Sequence, residues 1–271
     1  MRRGCWIYAE TRRVDLPSIA LGVNKIVSFK NAVVPSYGVP GPAPFPPCAE
    51  PARPLQPEPD RASADCAAMA PHLRIGTAAW ALPSTVRDRF PEGTSNLARY
   101  AARFNSAEIN SSFYRPHRRG TYARWADTVG ADFRFAVKLP KAISHEAKLQ
   151  DCGAMLAAFF DQAHALGTAL GPLLLQLPPK LAFDDAVVLR FLRDLRAASD
   201  AQLVCEPRHA SWFEAEADAL LAEHQVARVA ADPAKLPEAA RPGGWPGLAY
   251  FRLHGSPRTY WSSYEPDALS R

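Results

Sequence analysis

Short apolar runs that alternate with amphipathic segments are the feature that most constrains the fold of this chain. The alternation begins at Leu73, and each of the first five runs is followed by a segment with helical spacing, as in DDAVVLRFLRDLRAA. Strands separated by helices predict a parallel sheet with helical crossovers. The seven apolar runs are LRIGTAAW, SAEIN, FRFAVKLP, PLLLQLPP, QLVCEPRH, VARVAAD and LAYFRLHG.

This alternation favours a TIM-type (β/α) barrel over an open doubly wound sheet. No glycine-rich nucleotide loop follows the first run, and polar residues end nearly every run. Only seven strands are predicted, because the chain stops soon after the seventh run, and a barrel of this type would lack its last strand and helix. Two open strand edges would then have to be paired or covered. We expect that the chain is truncated or that another segment occupies the gap.

The first 70 residues differ from the remainder. Ten of the 26 prolines lie between residues 35 and 59, where they prevent helix and inner-strand geometry. We therefore predict a disordered, proline-rich extension over residues 1–70 and a barrel domain over residues 71–271. Met69 lies just before the first predicted strand, which suggests a start site assigned too early.

Composition bounds the class of protein. The hydrophobic fraction of 48% and the charged fraction of 22% are ordinary for a soluble globular protein. The net charge of +5 comes with dispersed arginines, which disfavours a nucleic-acid surface. No stretch approaches the ~18 apolar residues of a membrane span. The five cysteines include no CxxC pair, so we expect a reducing, cytoplasmic compartment and no cysteine-based metal site.

Polar residues stand at the ends of the apolar runs. Because side chains alternate along a strand, Glu206 and Arg208 are expected on one face, as are Arg252 and His254. A barrel gathers such residues at its C-terminal mouth, where the active sites of this architecture lie. The candidates at the strand ends are Thr77, Trp80, Glu108, Asn110, Lys138, Gln176, Glu206, Arg208, Asp232, Arg252 and His254.

A structural explanation competes with this functional one. Buried ion pairs are common inside barrels, and Glu206 has the charge to form one with Arg208 or with Arg252. For any single pair, a structural role is as good an explanation as a functional one. Burying the whole set for stability alone would be costly. The set as a whole therefore favours a functional pocket.

Six motifs in this order resemble the YecE-like family, domain of unknown function 72. The resemblance covers about Leu73 to Tyr264 and implies a TIM-type barrel. It marks as characteristic the candidates named above, together with His209 and Tyr264, but implies no reaction. Members normally continue into a further strand. The motifs are IGTAAW, AEINSSFYR, RFAVKLPKAISHE, LGPLLLQLPP, EPRHASWF and YFRLHG with YWSSY.

The favoured function is an enzyme that acts on a small polar or anionic ligand, such as a sugar or a sugar phosphate. Glu108, Glu206 and His254 would be the catalytic acid and base groups. If both glutamates flank one bond, glycoside hydrolysis becomes possible. The predicted ligand-binding residues are Thr77, Trp80, Asn110, Lys138, Gln176, Arg208, Asp232, Arg252 and Tyr264.

Two alternatives remain open. Glu108, Glu206, Asp232 and His254 are ligand types that isomerase or phosphodiesterase barrels use for a divalent metal, although three basic side chains share the predicted mouth. The other alternative is a non-catalytic module that binds a ligand or a nucleic acid, although no basic stripe with interleaved aromatic residues is evident. The sequence identifies no cofactor, substrate or reaction.

Overall fold

The computed structural model describes residues 5–10, 73–256, 258, 259, 261, 262 and 264. Within these residues the chain alternates strands with helices, as the spacing of apolar residues predicts. The strands are β1 (Cys5–Glu10), β2 (Leu73–Thr77), β3 (Ser106–Ile109), β4 (Arg134–Lys138), β5 (Leu170–Gln176), β6 (Leu203–Glu206), β7 (Val226–Arg228), β8 (Ala230–Asp232), β9 (Gly243–Gly244) and β10 (Leu248–Leu253).

The helices lie between the strands and are short. None of them, among the described residues, is long and apolar enough to cross a membrane. Two shorter helical segments matter for the site: a 3-10 turn at Ser111–Phe113 and a π-helical turn at Ala142–Glu146. The α-helices are α1 (Ser84–Arg87), α2 (Asn96–Ala101), α3 (Arg119–Thr128), α4 (Gly153–Ala163), α5 (Asp185–Ala198) and α6 (Ala215–Glu223).

The strands form two hydrogen-bonded sheets. In the first, β3, β4, β5, β6 and β7 are parallel neighbours, and β9 pairs antiparallel with β7. In the second, the order is β2, β1, β10, β8, and β10 runs parallel to β8. A parallel bridge joins Ala78 to Glu108, and only Val229 separates β7 from β8. The predicted α/β fold with a mostly parallel sheet is confirmed.

Each of the seven predicted apolar runs overlaps a strand, and the sixth contains both β7 and β8. Strand β6 ends at Glu206, directly before Pro207. Proline has no backbone N–H to donate to a neighbouring strand, so regular pairing ends where the sequence predicts.

The second sheet contains a strand from the N-terminal region. Strand β1 lies antiparallel between β2 and β10, so that Ile7 pairs with both Ile75 and Phe251. These six residues belong to the segment predicted to be disordered, and no clean periodicity in the sequence indicates the strand. The open edges of β2 and β10 explain its position, because their backbone groups gain hydrogen-bond partners. Residues 11–72, which include the proline-rich stretch and Met69, lie outside the described residues.

Both faces of the parallel strands are buried, which explains why their sequences read as continuous apolar runs. One face packs against the helices, where Phe135 and Leu175 meet the aliphatic and aromatic stripes of α4 and α5. The opposite face forms a separate apolar cluster. Its buried members are Ala136, Leu174, Val204, Ala227, Val229, Leu248 and Tyr250. We call this second set the inner cluster.

Candidate functional site

A layer of polar side chains follows the inner cluster, two residues further along four of its strands. Since residues two apart on a strand share a face, these side chains lie on the same face as the inner cluster, at the carboxyl ends of the strands. Lys138 follows Ala136, Gln176 follows Leu174, Glu206 follows Val204, and Arg252 follows Tyr250.

Arg252 is the centre of this layer. Its Nη2 donates to Glu108 Oε1 at 2.8 Å and its Nε donates to Glu108 Oε2 at 3.1 Å, which makes the pair bidentate. Its Nη1 donates to Glu206 Oε2, so one guanidinium bridges two carboxylates. The Tyr250 hydroxyl also donates to Glu108 Oε2, at 3.3 Å. Arg252, Glu108 and Glu206 are all buried, and Glu108 is fully inaccessible to solvent. We call Arg252 and these two glutamates the Arg252 network.

Glu206 has two further cationic or polar neighbours. Arg208 Nη2 donates to Glu206 Oε1 at 3.1 Å, and His254 Nε2 lies 3.7 Å from the same oxygen. Burial alone would raise the pKa of Glu206, but Arg252, His254 and Arg208 outweigh burial and hold that pKa well below its usual range. Conversely, burial would lower the pKa of Arg252, and the two glutamates raise it well above the ordinary value. Glu206 is therefore a carboxylate at neutral pH.

Lys138 is buried beside the network without an ion pair. Its Nζ donates to Gln176 Oε1 at 2.8 Å and lies 4.0 Å from the centre of the Phe113 ring. Among the described residues, no carboxylate oxygen lies within 4 Å of this Nζ. Burial, followed by the charge of Arg252, lowers the pKa of Lys138 to about 8. Lys138 is thus the charged group of the cluster whose charge is least compensated.

Three residues of the cluster were not predicted from the sequence. Phe113 lies under Lys138, in the turn after β3, and its ring is 5.0 Å from the His145 ring. His145 lies in the π-helical turn after β4, and burial followed by Lys138 and Arg208 lowers its pKa. Tyr250 contacts Glu108. The signal for Phe113 and His145 was their place in the first turn after a strand, and for Tyr250 its spacing of two residues before Arg252.

The structure therefore brings together seven of the predicted site residues. Their contacts are mainly with one another: Arg252 lies between the two glutamates, and Arg208 contacts Glu206. The ion-pair explanation that competed with the functional one thus describes the contacts of the Arg252 network. The seven residues are Glu108, Lys138, Gln176, Glu206, Arg208, Arg252 and His254.

Two predicted ligand-binding residues have other contacts. The Trp80 ring packs edge-on against Trp125 and Phe135, which belong to the interface between strands and helices. The backbone N–H of Thr77 donates to the Tyr100 hydroxyl at 2.7 Å, and its Oγ1 donates to the carbonyl of Ala79 at 2.7 Å. Both residues contribute to packing beside β2 in this arrangement.

The remaining three predicted residues stand around the strand ends. Asn110 directly follows β3, and its buried Oδ1 accepts no hydrogen bond from the described residues. Asp232 ends β8, and its carbonyl accepts bonds from the His254 N–H at 2.7 Å and the Tyr264 hydroxyl at 2.9 Å. The Tyr264 hydroxyl also accepts a bond from the Gly255 N–H at 3.0 Å. Tyr264 thereby joins the segment after β10 to the end of β8.

The geometry gives no support to the divalent-metal alternative. Among the residues that the structure describes, no three histidine, cysteine or acidic side chains come together in a way that could hold a metal ion. The guanidinium of Arg252 lies between the two glutamates that such an ion would require.

The fold and the cluster together define a class: an α/β protein that collects buried charged side chains at the carboxyl ends of mostly parallel strands. The chain matches the family model described as "Protein of unknown function DUF72" over residues 74–271. It belongs to this family, as the six sequence motifs predicted.

Two relatives carry the name "UPF0759 protein YecE". The protein of Escherichia coli strain K12 is 34% identical over 106 residues, which are 39% of this chain and 38% of the relative. The protein of Escherichia coli O157:H7 is 35% identical over 106 residues, with the same coverage of 39% and 38%. The matched region thus spans little more than a third of the length of these relatives.

Solved structures of the same family are also similar to this chain. A DUF72 family protein of Thermotoga maritima MSB8 is 25% identical, with a TM-score of 0.48 and coverage of 66% of this chain and 72% of that chain. A DUF72 family protein of Enterococcus faecalis V583 is 22% identical, with a TM-score of 0.48 and coverage of 58% of this chain and 60% of that chain.

Proposed function

We propose that this protein is an enzyme that binds a small anionic or polar ligand, such as a sugar phosphate, beside the Arg252 network and acts on it by proton transfer. The observation that carries the proposal is the charge balance of the cluster. Arg252, Arg208 and Lys138 supply three cations, and the two glutamates of the network supply two carboxylates. The cluster thus holds one more cation than carboxylates, and Arg208, its partly exposed cation, is available to a ligand, so the cluster favours an anionic one.

We further propose that the described strands form one TIM-type barrel. Two observations support this arrangement. The bridge from Ala78 to Glu108 joins the end of β2 in one sheet to β3 in the other. The chain also passes from β7 in one sheet to β8 in the other through a single residue. Strand β1 would then occupy the position of the eighth strand, between β2 and β10. In such a barrel the polar layer would lie at the C-terminal mouth, where enzymes of this architecture carry their active sites.

Within this proposal the two glutamates have different roles. Glu108 makes three hydrogen bonds to Arg252 and Tyr250 and is fully buried, which suits a residue that orients Arg252. Glu206 is held as a carboxylate 3.7 Å from His254, so it would orient and stabilise a protonated His254, which would carry the proton. This geometry does not favour glycoside hydrolysis, because a guanidinium lies between the carboxylates that would have to flank the sugar bond.

Arg208 is the residue best placed to meet an incoming anion. Its side chain is 25% exposed, whereas that of Arg252 is 6% exposed. A guanidinium binds a phosphate or carboxylate through two parallel N–H donors. Asn110 and Gln176 would contribute amide groups to a polar ligand.

The buried free thiols of Cys152 and Cys205 support the further proposal of a cytoplasmic protein.

Thermal-shift measurements with paired ligands test this proposal. We expect ribose 5-phosphate and glucose 6-phosphate to raise the melting temperature, and ribose and glucose to raise it much less. Arg208→Gln should abolish the difference, while Arg193→Gln on the exposed side of α5 should preserve it. An equal shift in wild type and Arg208→Gln, or no shift with any anion, would contradict the proposal. For a ligand that shifts the melting temperature, Glu206→Gln should remove its turnover.

A further inference from the structure

We propose that Lys138 is a nucleophilic amine that forms an imine with a small aldehyde or ketone carrying an anionic group. The inference rests on the proposed function, because it places the carbonyl ligand beside the same cluster. It adds the chemical class of the substrate and the atom of the protein that bonds to it.

The surroundings of Lys138 distinguish it from the other buried charges of the cluster. Arg252 and Glu206 each contact groups of opposite charge, whereas Lys138 Nζ contacts the neutral amide of Gln176 and the face of Phe113. Gln176 Oε1 accepts one N–H at 2.8 Å, which orients the amine and leaves its other positions available. A buried lysine that is oriented but unpaired has the geometry that activates an amine for attack on a carbonyl.

The electrostatic environment also favours the neutral, nucleophilic form of the Lys138 amine. Burial and Arg252 favour the neutral amine, and Glu108 and Glu206 oppose them, while Arg208 adds a further unfavourable charge for the ammonium. His145 is a further titratable side chain near Lys138. With a pKa of about 8, roughly a quarter of the Lys138 amine is neutral at pH 7.5, against about 0.1% at the ordinary value of 10.5. Only the neutral amine is nucleophilic.

The proposed step is balanced without a further reactant. The lone pair of Nζ forms a bond to the carbonyl carbon while the C=O π bond breaks, and one amine proton reaches the oxygen to give a carbinolamine. The C–O bond then breaks, the second amine proton leaves with the oxygen as water, and a C=N double bond remains. His254, which lies 3.7 Å from Glu206, is the group of the cluster that would carry these protons.

Arg208 supplies the preference for an anionic carbonyl compound. It is the cation of the cluster with the largest exposed fraction, and its guanidinium suits a carboxylate or phosphate on the substrate. Lys138 is 5% exposed, so the carbonyl group must be small or at the end of a chain. An α-keto acid, glyoxylate or a phosphorylated aldose in its open form meets both conditions.

The test is reductive trapping on the full chain with glyoxylate as the probe. Cyanoborohydride delivers hydride to the imine carbon and the nitrogen takes a proton from solvent, which leaves a stable N-carboxymethyl group that peptide mapping locates. Lys141 is an internal control three residues away, since its side chain is 51% exposed and pairs with Glu146 at 3.1 Å. At pH 7.5 we expect Lys138 to be modified at least ten times faster than Lys141. Denaturation in urea should remove the difference, and propanal, which has no anionic group, should show a smaller preference for Lys138.

Modification of Lys138 at the rate of Lys141 or more slowly would overturn the inference. Arg208→Gln separates the two proposals, because it should slow trapping of glyoxylate at Lys138 by about tenfold, whereas trapping of propanal should slow much less, through the loss of the Arg208 charge alone. If sugar phosphates shift the melting temperature through Arg208 but Lys138 is not preferentially trapped, the imine proposal fails and anion binding stands. If neither occurs, both fail.

Discussion

Arg252 and Lys138 are two cations at the same depth, each 5% exposed, at the ends of two strands that share the inner cluster. Arg252 contacts two carboxylates, and their charges raise its pKa. Lys138 contacts an amide and an aromatic ring, and burial lowers its pKa to about 8. The exposed fraction is thus the same for both residues. Their neighbouring charges decide whether the charged form is stabilised, as in Arg252, or the neutral amine is favoured, as in Lys138.

Two kinds of polar residue that look alike in the sequence differ in their contacts in the structure. The Arg252 network has its hydrogen-bonding groups directed at one another, so its first effect is to fix the ends of β3, β6 and β10 relative to each other. Lys138 and Arg208 retain donors that the network does not use. Reactivity toward a ligand is therefore expected at Lys138 and Arg208.

The largest expected effect comes from Arg252→Met. It leaves Glu108 and Glu206 buried without their shared cation, and breaking a buried pair in this way costs about 3–5 kcal/mol. We expect urea unfolding to show a loss of this size in the free energy of unfolding. Arg208→Met is the matched control and should lose less than about 1 kcal/mol, because its side chain is partly exposed and Arg252 still pairs with Glu206. Equal losses would show that Arg252 is no more structural than Arg208.

Lys138→Met should change the free energy of unfolding by an amount that depends on pH. Because the folded-state pKa of Lys138, about 8, is below its unfolded value of 10.5, the unfolded chain binds more protons between these values, and wild type gains stability as the pH rises. Relative to Lys138→Met, we expect a gain of about 2–3 kcal/mol between pH 7 and pH 10. Tyrosines and cysteines that also titrate there are common to both proteins and cancel. A flat difference, like that expected for the exposed Lys141→Met, would show that Lys138 is not desolvated.

Removal of residues 1–10 tests whether β1 supports the strand of Arg252. We expect the melting temperature to fall by about 5 °C, because the edges of β2 and β10 lose their paired strand. Hydrogen exchange should accelerate in β2 and β10 while β4, which carries Lys138, stays protected. Removal of residues 1–4 alone leaves the strand in place and should change neither measurement. An unchanged melting temperature after the longer deletion would show that β1 does not stabilise the sheet.

The smallest effect is expected for Tyr264→Phe. The substitution removes the hydroxyl that donates to the Asp232 carbonyl and accepts from Gly255, at a cost of about 1 kcal/mol. If Tyr264 serves this contact alone, the thermal shift produced by ribose 5-phosphate should be unchanged. A lost shift with unchanged stability would instead assign Tyr264 to ligand binding.

Much of the fold and part of the site could be predicted from local sequence patterns. Apolar runs that alternate with helical spacing predicted the α/β class, and Pro207 predicted the end of β6. The two-residue spacing that pairs Glu206 with Arg208 predicted a contact that the structure contains. By contrast, the spacing of Trp80 and Thr77 near the first strand could not reveal that their contacts lie with Trp125 and Tyr100.

The sequence by itself determined that polar side chains would end the parallel strands, because strand periodicity is a local property of the backbone. Only the tertiary structure decided how their charges are shared. Arg252 is bonded to Glu108, 144 positions away, and to Glu206, 46 positions away. Lys138 meets Gln176 instead of a carboxylate because β4 and β5 are neighbours. Similarly, β1 takes its place between β2 and β10 because their unpaired backbone groups form hydrogen bonds with it, and no side-chain pattern encodes that requirement.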